Sequence, residues 1–332
     1  MNDAGSKFWF EYVLLGVLAF LWGSSYLLIR VAVQEIPPVT LIAGRVLIAA
    51  VFLAGILVLR REKLPRDLKV WRYLLIQACF NSILAWTVLA WGQQRIDSGM
   101  ASVLNSTSPL FVILILLCRS SRLSVAPLQI LGALVGLLGV VLIIGFNALE
   151  GLGDQVAGQF AALVGAFLYG CAAVYGKRFS HLSPVVVASG TMIWACLFLI
   201  PSSLMVEQPW ELRPSMEALL SVLVLGSLCT GVALILYFRL VRTLGALGVA
   251  SQAYLRAGVG VLLGFFILGE QIDLIVGVGL GLCLLGVVLV NGKKRRQQTI
   301  FPNTEKLQLN SDGLWRSSDS LSCVKPHRMP VC

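Results

Sequence analysis

The sequence predicts an all-α membrane protein with ten transmembrane helices, arranged as a five-plus-five inverted-topology repeat. Three observations carry that reading. First, hydrophobic residues make up 58% of the 332-residue chain and charged residues 13%, with a mean hydropathy of +0.86. An ordinary soluble domain carries roughly 25% charge, so this chain cannot cover a water-facing surface. Second, apolar runs of about 20 residues, the length a helix needs to cross a bilayer core, recur along the chain with short connections. Third, the two halves repeat each other.

In order, the runs fall at 12–33, 39–59, 71–92, 99–118, 125–146, 157–176, 184–206, 216–238, 246–268 and 272–291. The first is too long for a cleaved signal, lacks a small-residue cleavage site, and is followed at once by a second span. Residues 1–11 precede the first span. The longest connection is Arg60–Arg72, with Leu64-Pro65 at its turn, so no extramembrane domain fits between spans. Residues 12–146 form the first repeat and 157–292 the second. From 293 the character changes. Lys293-Lys294-Arg295-Arg296 is a stop-transfer anchor, and 297–332 is rich in Ser, Asn, Pro and Gln without apolar period, the composition of a disordered tail.

Charge sets orientation. With the N-terminus cytoplasmic, the inner segments hold seventeen Lys and Arg, from Lys7 through Arg60–Arg72 to Arg296, whereas the outer loops hold Arg95 and Arg213, with Arg30 near one edge. Short loops rich in Lys and Arg stay inside, so both termini are expected in the cytoplasm of an inner or plasma membrane protein. The net charge of +10 therefore reads as loop charge. No basic helix or RNA-type motif points to nucleic acid. Cys79, Cys118, Cys171, Cys196, Cys229 and Cys283 lie in or beside apolar runs, without a CxxC or a Cys/His cluster. They read as small buried hydrophobes, and no metal or cofactor is expected.

Gly132-x6-Gly139-Val140-Val141-Leu142 closes span five, and Gly279-x6-Gly286-Val287-Val288-Leu289 closes span ten. The same offset maps Trp22-Gly23 onto Tyr169-Gly170 and Arg30 onto Lys177. Five spans per half is an odd number, so the second half enters the membrane in the opposite sense. That is the plan of many secondary transporters, with the site at the interface of the halves.

Trp22-Gly23-Ser24-Ser25, Arg45, Ala101-Ser102-x6-Pro109, Tyr254-Leu255, Leu268-Gly269-Glu270 and the Gly-x6-Gly-Val endings together resemble the drug/metabolite transporter superfamily, in particular its EamA-type ten-helix members. The resemblance covers about 12–292. It implies a central cavity between the halves, lined mainly by spans one, three, four, six, eight and nine, and export of amino acids, other metabolites or drugs. The sequence departs from the pattern in two places. Ala257 stands where the second half should have Pro, and Arg122 where the first should have Glu. Without a proline, span nine is expected to run straighter.

Arg256 lies halfway along span nine. A cation at the bilayer centre costs at least about 2.5–3.5 kcal/mol, so it must face a cavity or a partner. It reads either as a receptor for a carboxylate or phosphate or as a brace on backbone carbonyls. Gln252 is one turn earlier on the same face. Arg45 could pack on carbonyls or meet substrate. Gln77 and Asn81 are spaced i, i+4 in span three. Asn105 and Thr107 flank the Pro109 bend, and Thr191 and Thr230 lie in spans seven and eight. Such groups either line a cavity or tie helices together. Trp22 and Tyr254, with Tyr26, Trp86 and Tyr169, could wall a pocket for an amphipathic metabolite or simply pack. Gly132-x3-Gly136 and Gly277-x3-Gly281 would let helices approach closely. Packing between the halves is the first reading and homodimerisation through span five or ten the second.

Gly170-x5-Gly176-Lys177-Arg178 has the wrong spacing for a Walker A loop, and no H-E-x-x-H or intramembrane Asp pair is present. An enzyme is not expected. The leading function is a carrier exporting amino acids or related carboxylates by alternating access. The alternatives are a broad drug exporter, which would need a buried carboxylate to attract cations, and a non-transporting scaffold, receptor or intramembrane enzyme. The carboxylates Glu11, Glu35, Glu217, Glu270 and Asp273 lie at span ends. Facilitated movement without obligatory proton exchange is therefore expected, with Glu270 the one candidate coupling or gating group.

Overall fold

The computed structural model describes residues 3–96, 98–119, 125–144, 155–259, 274–300, 307–309 and 315–317. The helices are α1 (Asp3–Ala32), α2 (Pro38–Arg60), α3 (Leu68–Ala78), α4 (Leu84–Gln93), α5 (Ser98–Asn105), α6 (Ser108–Arg119), α7 (Pro127–Ile144), α8 (Val156–Gly176), α9 (Pro184–Val206), α10 (Met216–Gly226), α11 (Ala233–Thr243), α12 (Gly245–Ala250), α13 (252–259) and α14 (Leu274–Ile300). Among the described residues, seven stretches are long and apolar enough to cross a membrane, and two shorter apolar helices, Val103–Cys118 and Pro127–Ile143, fall at the expected fourth and fifth spans. The ninth expected span is described only to Val259.

Met1–Asn291 form one compact unit and Gly292–Cys332 a second. In the second unit α14 runs on to Ile300, and Leu307–Leu309 pairs antiparallel with Trp315–Ser317. Leu307 and Leu309 alternate with Gln308, a short period-2 pattern within a segment whose composition had pointed to disorder.

The repeat is visible as a pseudo-two-fold. Residues 147 apart in sequence meet at its axis: the Ser106 hydroxyl donates to Ala253 O at 3.3 Å, and the Cys283 thiol to Gly136 O at 3.6 Å. Around that axis α7 crosses α14 at glycine-only distance. A methyl added at Gly139 would come within 2.7 Å of Cys283 N and Gly279 O, and one at Gly286 within 2.6 Å of Gly136 Cα. The contacts obey the symmetry, since Gly132 meets Val290 and Gly279 meets Ile143. The packing glycines are thus 132, 136, 139, 279 and 286. The expected Gly277-x3-Gly281 face does not meet α7: among the described residues, nothing lies within 4 Å of a methyl placed at either glycine. They lie on the turn of α14 pointing away from α7.

Two π turns break the long helices at equivalent places, Cys79–Ile83 between α3 and α4 and Ser227–Val232 between α10 and α11. Each inserts one extra residue into the helical ladder. Among the described residues, span four breaks at Ser106-Thr107, just before Pro109, and span nine breaks at Ser251, although Ala257 stands in place of a proline there.

The helix connections bring carboxylates to helix N-termini. Glu207 accepts from the Val39 and Thr40 N–H groups at the start of α2, and Glu35 accepts from the Ser215 N–H (2.6 Å) and hydroxyl (2.9 Å) at the start of α10. Negative charge is stabilised there by the unsatisfied amides. At the opposite end of the bundle, Glu11 of α1 pairs with Arg239 of α11 at 2.9 Å and accepts from the Thr243 hydroxyl.

Candidate functional site

A cavity lies between the halves, lined by residues of α1, α2, α4, α5, α8 and α13. Trp22, Arg45, Trp86, Asn105, Tyr169 and Arg256 form its deep walls, and Ile29 and Gln93 stand towards the end of the bundle where α1 hands over to α2. The walls enclose about 460 Å³, mouth included. At the other end α12 packs on α8 and α6. α5 packs on α8 as well.

The π turn of the eighth span organises the site. It leaves Cys229 O and the Thr230 hydroxyl facing inward, since the ladder has slipped by one residue. Trp22 Nε1–H donates to Cys229 O at 3.1 Å, and Arg45 donates through Nε to Thr230 Oγ1 at 2.6 Å and through Nη2 to the same carbonyl at 3.4 Å. The Arg45 guanidinium also lies 4.2 Å from the centre of the Trp86 ring. Trp22 packs against Tyr237 at 5.5 Å and stacks with Tyr169 at 6.5 Å.

Arg256 completes the wall. Its guanidinium carbon is 5.6 Å from the Trp22 ring and 6.0 Å from the Tyr169 ring, the outer range of cation–π attraction. The residue is only 7% exposed. No carboxylate, carbonyl or hydroxyl among the described residues accepts a hydrogen bond from it. A guanidinium buried without an acceptor is costly, and it is the group a bound anion would satisfy.

Of the residues singled out in the sequence, Trp22, Arg45, Trp86, Asn105, Tyr169 and Arg256 converge on this cavity. Gln77, Asn81, Thr107, Gln252 and Tyr254 are not among its lining residues. Tyr254 is fully buried, with its ring against Gly136 and its hydroxyl donating to Ala133 O at 2.9 Å, so it ties span nine to span five. Gln77 donates to Ala172 O, and Asn81 to Ser82 Oγ from within the first π turn. Both are fully buried, with their amide oxygens unpartnered, as is that of Gln252. The Thr107 hydroxyl closes on Leu104 O at the helix break. Glu270 lies outside the described residues. Sequence reasoning missed Gln93 and Leu89. The signal was present, because Trp86, Leu89, Ala90 and Gln93 follow the i, i+3, i+4, i+7 stripe of one helical face.

Residues 9–145 match the EamA-like transporter family, and residues 156–292 match it a second time. The chain belongs to the EamA-like transporter family. It is a multi-pass membrane transporter. An EamA relative in Escherichia coli (strain K12), the uncharacterized inner membrane transporter YedA, is 29% identical over 278 residues, covering 83% of this chain and 89% of the relative. The uncharacterized transporter YoaV of Bacillus subtilis (strain 168) is 27% identical over 282 residues, covering 83% and 96%. A crystal structure with a TM-score of 0.71 at 20% identity, covering 83% of this chain and 96% of that one, has the same EamA fold. The two matched segments coincide with the two symmetric halves, which places the cavity at the interface of the EamA repeats.

Proposed function

We propose that this EamA transporter is a secondary carrier of the inner or plasma membrane, with both termini cytoplasmic, exporting amino acids or related small carboxylates by alternating access. The observation that carries the reading is Arg256, a nearly buried guanidinium that faces the interface of two inverted halves and has no acceptor among the described residues. Guanidinium binds carboxylate bidentately. A site on a pseudo-two-fold can open to either side as the halves rock, which supports the alternating-access reading.

The test is growth of expressing cells on an array of toxic amino acids and carboxylate analogues. Expression should raise tolerance to at least one of them, and Arg256→Gln should remove that tolerance while the protein remains inserted and monodisperse. Arg256→Lys should recover part of it, because a point charge cannot reproduce the fork. Loss of expression in both variants would instead make Arg256 a brace.

A further inference from the structure

We propose that the anion received by Arg256 belongs to an acid that carries no ammonium group: a flat, apolar-bodied carboxylate such as an aryl-substituted acid, in preference to the zwitterionic α-amino acid of the same skeleton. The proposal rests on the carrier reading above and narrows its substrate class.

Three features of the cavity carry it. The twelve described lining residues include Arg45 and Arg256 and no Asp or Glu. Three carboxylates at described helix ends are committed elsewhere: Glu11 to Arg239 and Thr243, Glu35 to Ser215, Glu207 to the amides of α2. An ammonium brought in beside a carboxylate thus meets no charge partner in the described wall and lies close to a guanidinium of its own sign.

Aromatic faces can hold an ammonium in place of a carboxylate, but here they already serve guanidinium groups. Trp86 lies under Arg45, and Trp22 and Tyr169 under Arg256. Two neutral backbone acceptors are also taken, and the other polar lining groups, Ser25, Gln93 and Asn105, carry no charge to pair with an ammonium. Cys229 O receives both the Trp22 indole and Arg45, and the Trp22 carbonyl receives the Ser25 hydroxyl. For an organic body the wall offers the rings of Trp22, Trp86 and Tyr169, with Ile42, Leu89 and Ala90. Stripping water from an ammonium in such a place is costly without a partner, whereas an aryl carboxylate supplies charge to Arg256 and a ring to the aromatic walls.

The experiment uses the purified full-length protein in detergent, with ligand-induced thermal stabilisation and tryptophan fluorescence as parallel readouts. The probes are 3-phenylpropanoate against phenylalanine, and 4-methylpentanoate against leucine, with phenethylamine as the cation alone. The acids without nitrogen should stabilise the wild-type protein at concentrations at least tenfold lower than the matching amino acids, and phenethylamine should have no effect. Arg256→Gln should abolish the response while leaving the ligand-free melting temperature within a few degrees. The comparison within each pair is made on the wild-type chain, so it does not depend on any variant folding. Amino acids binding as tightly as the deaminated acids, or more tightly, would overturn this proposal and leave the carrier reading intact. No binding of either class, together with no carboxylate flux in proteoliposomes, would overturn both.

Discussion

Arg45 and Arg256 show how the same side chain takes two roles in one cavity. Arg45 spends its donors on Thr230 and Cys229 O, both supplied by a π turn, and so fixes α2 against the eighth span. Arg256 is held only by aromatic faces among the described residues. Arg256 was legible in the sequence because a mid-span cation is expensive wherever it sits. Tyr254 was not, because nothing in its own neighbourhood reveals that its ring covers Gly136, 118 positions earlier. Outside the spans, Glu35 makes a separate prediction. The Ser215 N–H first, and its hydroxyl second, hold the Glu35 carboxyl below its usual value of 4.5. A lowered folded-state pKa means stability that is fully present above the unfolded pKa and lost as pH falls through the folded one. Thermal unfolding in detergent between pH 3 and 7 should show Glu35→Gln less stable than wild type at pH 6–7, the gap closing below about pH 4. A gap that persists undiminished at pH 3 would show that ionisation of Glu35 is not what holds the cap.

At the scale of elements, the spans were legible and their defects were not. Apolar length alone places most of the helices, but a π turn is a one-residue slip in a ladder with no composition signature, so Cys79–Ile83 and Ser227–Val232 cannot be read from sequence. The slip matters for the site, since it makes Cys229 O and Thr230 available to Trp22 and Arg45. The glycine-rich spans were recognised, yet the choice between Gly277/Gly281 and Gly279/Gly286 depends on which turn of α14 faces α7. A substitution pair tests that face. Gly286→Val should displace α7 and cost about 1–3 kcal/mol or more, as overpacking does, and should be read as loss of monodisperse protein in detergent. Gly281→Val, which meets nothing within 4 Å, should purify and melt like wild type. Equal damage from both would mean that the Gly281 face is also packed in the assembled protein.

For the whole molecule, the inverted repeat follows from the offset glycines and the odd number of spans, and residue pairs 147 apart meet at its axis. The orientation in the bilayer is a prediction of the Lys and Arg asymmetry. A single cysteine at Arg66 should be inaccessible to an impermeant thiol reagent in intact cells and react once the membrane is opened. The energetics of the cycle form another prediction. Arginine does not release its proton, and the described lining holds no titratable carboxylate. Counterflow in proteoliposomes should therefore persist without a pH gradient, and substrate accumulation that collapses with a protonophore would overturn this. The seam between α7 and α14 also has a consequence in time. The ribosome releases the first half of the molecule with one side of the seam exposed, and the matching glycines are made 147 residues later. At about 5–20 residues per second, Gly132, Gly136 and Gly139 wait roughly 7–30 s in the lipid before Gly279 and Gly286 arrive. During that interval another nascent copy can offer them the same surface. Both halves match the same family, so assembly within a chain competes with assembly between chains, and slower translation of the second half should raise the yield of interlocked dimers.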